Sequence, residues 1–136
     1  DEWKIIRQHP SNGVEIIRSV ESLSDIAPLI LHHHERVDGT GYPQQLAGES
    51  IPYLARVLCI VDSFDAMTSK RSYIEKRMSY DDAAAELKAN SGTQFDKAIV
   101  EKFIEVIEEN KGSFDEYLNK GTSDGRAFNC RADSAS

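Results

Sequence analysis

The sequence predicts an all-α domain of at least five helices, and three observations lead there. Apolar residues recur at helical spacing along nearly all of the 136-residue chain. No stretch alternates with the two-residue period of a half-buried strand. The helical stretches are separated by short clusters of Gly, Pro, Asp and Ser, which punctuate rather than propagate regular structure.

The elements follow in order. Residues 1–8 carry Trp3, Ile5 and Ile6 and read as the end of a helix that stops near His9-Pro10. Pro10 suits the first turn of a second helix, with Val14, Ile16, Ile17 and Val20 as its apolar stripe. Ser24 or Asp25 can cap a third helix over 25–35, with Pro28 tolerated in its first turn. Residues 37–52, "VDGTGYPQQLAGESIP", form a loop by composition and lead into the most hydrophobic helix, 53–69. Beyond a basic connector, Ser79 and Asp82 make a capping box for a helix over 80–90, with Gly92 as its stop. Asp96 can cap the helix 97–110, which lines up Ile99, Val100, Phe103, Ile104 and Ile107 on one face. The apolar faces of these last two helices suit a core or a dimer contact equally. "FDEYL" at 114–118 can add a turn, and the remaining polar tail has the composition of disorder.

Bulk composition excludes several classes. A net charge of -7 argues against a general electrostatic grip on nucleic acid or anionic lipid, so any anionic ligand needs local positive charge or a metal. Two cysteines, Cys59 in an apolar helix and Cys130 in the tail, form neither a disulfide framework nor a zinc knuckle. Neither a membrane-length apolar run nor a signal peptide is visible, which points to the cytoplasm. "DEWKIIRQHP" opens in mid-pattern without an initiator methionine, as a portion of a longer chain would.

Three of the four histidines stand together at 32–34, behind an apolar run. Neighbouring side chains on a helix project about 100° apart, so all three cannot face one way, but two can converge on a cation beside the helix. His33 follows Leu29 and Ile30 on the buried stripe, His34 follows Ile30, and His32 lies furthest from it. The ordinary alternative is a run of surface or hydrogen-bonded histidines. Asp62 interrupts "VLCIVDSF" on a helix otherwise destined for the core, where a lone carboxylate needs a cation or hydrogen bonds. Asp65 follows the same logic, Arg56 is a plain salt-bridge partner for either, and spacing does not choose between the two aspartates. With His9 at a helix junction, the set suits Fe, Mn or Zn. The HExxH pattern, Walker loops, Rossmann glycines and the G-x-S-x-G elbow are all absent.

"HHERVDGTGYP" (33–43), "IPYLARVLCIVDSFDAMTSKRSY" (51–73) and "SGTQFDKAIVEKFIEVI" (91–107) closely resemble the HD-GYP subfamily of HD-domain phosphohydrolases. "EWKIIRQHPSNGVEII" is similar to that family's segment between its His-Asp doublet and its histidine pair. The resemblance implies an HD-domain-like helical bundle, incomplete at its N-terminus: residues 1–112 would be the C-terminal portion of the domain and 113–136 a short turn and tail. It implies metal-dependent hydrolysis of cyclic di-GMP to the linear dinucleotide or GMP, with two or three ions, Fe or Mn, in the intact domain. Carried over, His9, His33, His34 and Asp62 are metal ligands, and Gly41-Tyr42-Pro43 is the signature loop. Tyr42 and Arg71 would meet substrate, Tyr42 by stacking on guanine or bonding a phosphate oxygen; its plain alternative is loop packing against helix 53–69. Ile74 stands where the family often has a lysine, and His32 falls outside the matched pair. The His-Asp doublet itself does not occur in the 136 residues. Implied partners are an upstream sensor or receiver domain and diguanylate-cyclase domains. The alternative reading is a non-catalytic signalling module that binds partner proteins through an exposed Gly-Tyr-Pro loop.

Overall fold

A computed structural model describes residues 2–69 and 78–113, with side chains described from Arg7 onward. Five α-helices run through them: α1 (Glu2–Arg18), α2 (Ala27–His32), α3 (Tyr53–Thr68), α4 (Tyr80–Ala89) and α5 (Lys97–Glu109). Short 3-10 segments cover Glu21–Ile26 and Gly48–Ser50, and no strand occurs among the described residues beyond a lone bridge between Ser91 and Phe95. The expected turn at 114–118 and the tail lie outside the described residues.

The core sits where α3, α4 and α5 meet. Ile60 and Phe64 of α3, Ala83 and Leu87 of α4, and Val100, Ile104 and Ile107 of α5 are buried together with Phe95, and Ile99 and Phe103 flank them. The apolar faces of α4 and α5 are therefore spent on the core. Both helices start as expected. The Ser79 oxygen accepts the Asp82 N–H at 3.1 Å, and the Asp96 carboxylate accepts the Ile99 N–H at 3.2 Å. Asp96 also pairs with Arg56 of α3, so one carboxylate caps α5 and ties it to α3. Helix α4 ends at Ala89, and Gly92 (φ +84°) serves the turn that follows rather than the helix end.

Two expectations fail in the first third of the chain. The break at His9-Pro10 is absent, because α1 continues through Pro10. Proline removes one helical hydrogen bond, a cost of about 3 kcal/mol in an open helix. Here Pro10 is fully buried and Val14 is 5% exposed, so tertiary packing offsets it. The packed face is Pro10, Gly13, Val14 and Ile17, with Gly13 against Ile30 of α2; Ile16 and Val20, expected in the stripe, are 71% and 45% exposed. The helix expected over 25–35 shrinks to six residues. Neither Ser24 nor Asp25 caps it: residue 26 is its N-cap without a side-chain bond, and Ser24 donates to the Glu21 carbonyl instead.

Candidate metal centre and its loop

The early end of α2 decides where the histidines point. His32 is the last helical residue, and the Glu35 N–H donates to the His32 carbonyl at 3.0 Å, closing a turn that carries His33 and His34 off the helix. The 100° fan expected for three consecutive helical side chains therefore does not apply to them. His33 Nδ1 lies 2.7 Å from the Ile30 carbonyl oxygen. A carbonyl only accepts, so Nδ1 carries the proton and the lone pair is left on Nε2. The same bond satisfies a carbonyl of the last helical turn.

His9, in the middle of α1, meets this pair. Its Nε2 is 2.9 Å from His34 Nε2, and one ligand nitrogen from each of His9, His33 and His34 lies within 4.8 Å of the others. In the neutral cluster one of the two close nitrogens donates to the other. A cation between them would take both lone pairs once that proton moves to the second ring nitrogen. Three imidazoles at this spacing fit one divalent ion with positions left open. The structure thus brings together three of the four expected ligands, one from α1 and two from the turn after α2, with His9 and His34 25 positions apart in sequence.

Asp62, the fourth, does not share that spacing, although its charge acts on His33. Asp65 is exposed and accepts the Ser69 hydroxyl at 2.8 Å, so of the two aspartates only Asp62 addresses the histidines. Arg56 is committed to Asp96, which removes it as the plain partner of either. His32, expected to be incidental, is as buried as His33, and its Nδ1 sits 3.7 Å from the Glu35 carboxylate.

Burial pushes the His33 pKa below that of ordinary histidine, against the opposing pull of the Ile30 carbonyl and Asp62. Burial, then the neighbouring His33 and His9, push His34 down to about 3. Both rings are therefore neutral and able to ligate near neutral pH. In the metal-free unfolded chain they protonate near 6.5, so the unfolded state binds more protons below that value. This part of the stability is complete above about pH 6.5 and is lost as the pH falls toward about 3. We expect the urea midpoint, measured with chelator, to fall steadily from pH 7 to pH 4; a flat profile would contradict the buried placement of His34.

The loop after the histidines is held by a residue whose role spacing did not reveal. Glu35 is 2% exposed and accepts the backbone N–H groups of Gln44 at 2.7 Å and Leu46 at 3.1 Å. It is a strap for the loop, and its only forewarning is an acid placed directly behind a buried pair. Arg36 forms a second strap, donating to Asp38, Thr40 and the Gln94 side chain at 3.1, 2.9 and 2.9 Å. Burial raises the Asp38 pKa, but the hydrogen bonds from Arg36 and Thr40 outweigh it and hold that carboxyl at about 2. The Val37 and Asp38 N–H groups pair with the carbonyls of Gln94 and Thr93, fastening the loop to the turn before α5.

Gly39 has φ +79° and supplies a left-handed turn, as expected. Gly41 is needed for a different reason: a Cβ there would meet the Arg36 nitrogen and come within 2.6 Å of both Glu35 Cα and the His34 carbonyl oxygen. That close approach lets the Tyr42 N–H donate to the His34 carbonyl at 3.2 Å and lays the Tyr42 ring on the His34 ring, 5.0 Å between centroids and 20° between planes. Tyr42 packs on His34 of the histidine cluster. The Tyr42-Pro43 peptide is cis. Gly41 is buried and Tyr42 half-buried against the histidines, while Pro43 is exposed. Arg71 and Ile74 lie outside the described residues.

The family described as HD domain matches residues 1–99. A cyclic di-GMP phosphodiesterase of Vibrio cholerae is 37% identical over 115 residues, covering 79% of this chain and 23% of that protein. A 3'3'-cGAMP-specific phosphodiesterase of the same species is 40% identical over 110 residues, covering 79% of this chain and 21% of that protein. Among solved structures, a cyclic GMP-AMP specific phosphodiesterase of V. cholerae superposes with a TM-score of 0.65 at 27% identity, over 77% of this chain and 24% of that one. The chain thus spans less than a quarter of the length of these relatives. No helix among the described residues is long and apolar enough to cross a membrane.

Proposed function

Because the chain belongs to the HD-domain family, whose members are metal-dependent phosphohydrolases, we propose that it forms part of a phosphodiesterase acting on a cyclic dinucleotide, cyclic di-GMP in the first instance. The single observation that supports this best is the convergence of His9, His33 and His34, with the His33 lone pair fixed on Nε2 by the Ile30 carbonyl. These three residues would hold a divalent ion, Fe or Mn, and Asp62 would add charge beside it. When bound, such an ion supplies Lewis-acid polarisation of the phosphate and a water acidic enough to attack near neutral pH.

The rest is the work of the chain's own residues. The Ile30 carbonyl orients His33, and Tyr42 stacked on His34 restrains that ring, so the donor set is held before substrate arrives. Glu35 and Arg36 keep the loop closed over the cluster. Hydrolysis breaks one P–O ester bond, and the proton of the attacking water passes to the leaving sugar oxygen. More of the relatives are named for cyclic di-GMP than for cyclic GMP-AMP, but both names occur, so the two substrates belong side by side in the assay.

The His-Asp doublet is not among the 136 residues. We therefore expect the chain by itself to show little or no turnover of cyclic di-GMP with manganese or iron, and a longer polypeptide that supplies the doublet to show robust turnover. Fast hydrolysis by the isolated chain that disappears in a His33→Ala variant would show that these residues suffice. No hydrolysis of either dinucleotide by the longer polypeptide would overturn the proposal.

A further inference from the structure

We propose that Arg7 binds the phosphodiester of the substrate; this rests on the phosphodiesterase reading given above. A substrate with two phosphodiester anions has to be gathered by a chain of net charge -7, so the cations described near the histidine cluster matter. Four arginines lie among the residues whose side chains are described. Arg36 is committed to Asp38 and Arg56 to Asp96. Arg18 is at the far end of α1, about 16 Å along the helix axis from Arg7. Arg7 alone is both next to the cluster and in none of the ion pairs found among the described residues.

Its placement suits an anion. Arg7 is exposed and lies two residues before His9 on α1, with its guanidinium carbon 5.7 Å from the centroid of the Tyr42 ring, which itself stacks on His34. A guanidinium held near an aromatic ring by cation–π attraction spends none of its N–H donors on that contact. Those donors match the two free oxygens of a phosphodiester. The cation–π contact contributes only about 0.5–1 kcal/mol at an exposed position, enough to bias the side chain without burying its charge. Nothing in the spacing of "EWKIIRQHP" marks Arg7, because the contact that matters reaches a loop 35 positions away.

The test uses the longer, active polypeptide with Arg7→Ala and Arg7→Lys. Loss of one charge-assisted contact made equally to bound substrate and transition state raises KM with little change in kcat. We expect KM for cyclic di-GMP to rise about tenfold in Arg7→Ala, kcat to stay within about threefold, and Arg7→Lys to fall between. Manganese affinity should match the parent's, which separates substrate binding from a structural role in steadying Tyr42 and His34. An unchanged KM overturns the inference while leaving the phosphodiesterase reading intact, as does a KM increase matched by loss of manganese. Direct binding of cyclic di-GMP to the manganese-loaded protein gives a second readout independent of turnover, again about tenfold weaker in Arg7→Ala. Equal affinity, or no binding by the parent, overturns the inference; no hydrolysis by the parent overturns the reading beneath it.

Discussion

Replacing His33 by alanine is expected to weaken binding of manganous or ferrous ion by about 100-fold or more, since losing even a group that orients a ligand commonly costs 10–100-fold. The expectation follows from two features of one ring. A His33 ring nitrogen is one of three within 4.8 Å of each other, and Nδ1 is tied to the Ile30 carbonyl, so the ring cannot turn away without breaking a part-buried bond. Calorimetric titration of the two proteins at pH 7.5 measures the change. His32→Gln is the matched control: the ring next door is equally buried but points to Glu35, and its replacement should leave metal affinity close to the parent's. Equal losses in both variants would mean that the histidine run acts through folding rather than ligation.

Gly41→Ala should be the most destabilising single methyl in the loop. The added carbon would press on the Arg36 nitrogen, Glu35 Cα and the His34 carbonyl oxygen, all backbone atoms that cannot swing aside. Relief requires moving the chain that carries His34, at a cost of about 3 kcal/mol or more, outside the range of ordinary surface changes. A melting temperature lower by about 10 °C or more is the expected signature. Gly48→Ala provides the contrast. Its φ of +53° is mildly unfavourable for alanine, but nothing lies within 4 Å of the new carbon, so the cost is about 1 kcal/mol. Similar melting temperatures for the two variants would contradict the packed loop.

The parts of the fold legible in the sequence are those set by neighbouring residues. Ser79 with Asp82 and Asp96 with Ile99 are local bonds, and they start α4 and α5 where the pattern put them. The 53–69 helix, expected as the most hydrophobic of the chain, appears as Tyr53–Thr68. Where distant contacts decide, the pattern misleads. Pro10 reads as a helix start but lies inside α1, because its burial against α2 is a tertiary fact. Likewise α2 stops early because the turn at His33–Glu35 is fixed by a loop still to come.

The site divides the same way. Family resemblance singled out His33 and His34, yet what aims them is the Ile30 carbonyl, the close contact at Gly41 and the stack of Tyr42, none of which has a periodic signature. Glu35 was visible only as an acid directly behind the histidine pair. Its use, as acceptor for two amides 9 and 11 positions on, becomes apparent once the loop is folded back. Spacing left Asp62 and Asp65 undecided and the resemblance chose Asp62; in the structure Ser69 and Asp96 claim the competing partners.

The most direct test of the account is X-ray absorption of the chain loaded with one equivalent of manganese or iron. Three imidazole nitrogens in the coordination sphere of the parent, falling to two in His9→Ala, are the predicted result. A sphere of oxygen ligands with one imidazole or none would contradict the claim that His9, His33 and His34 form a single metal centre.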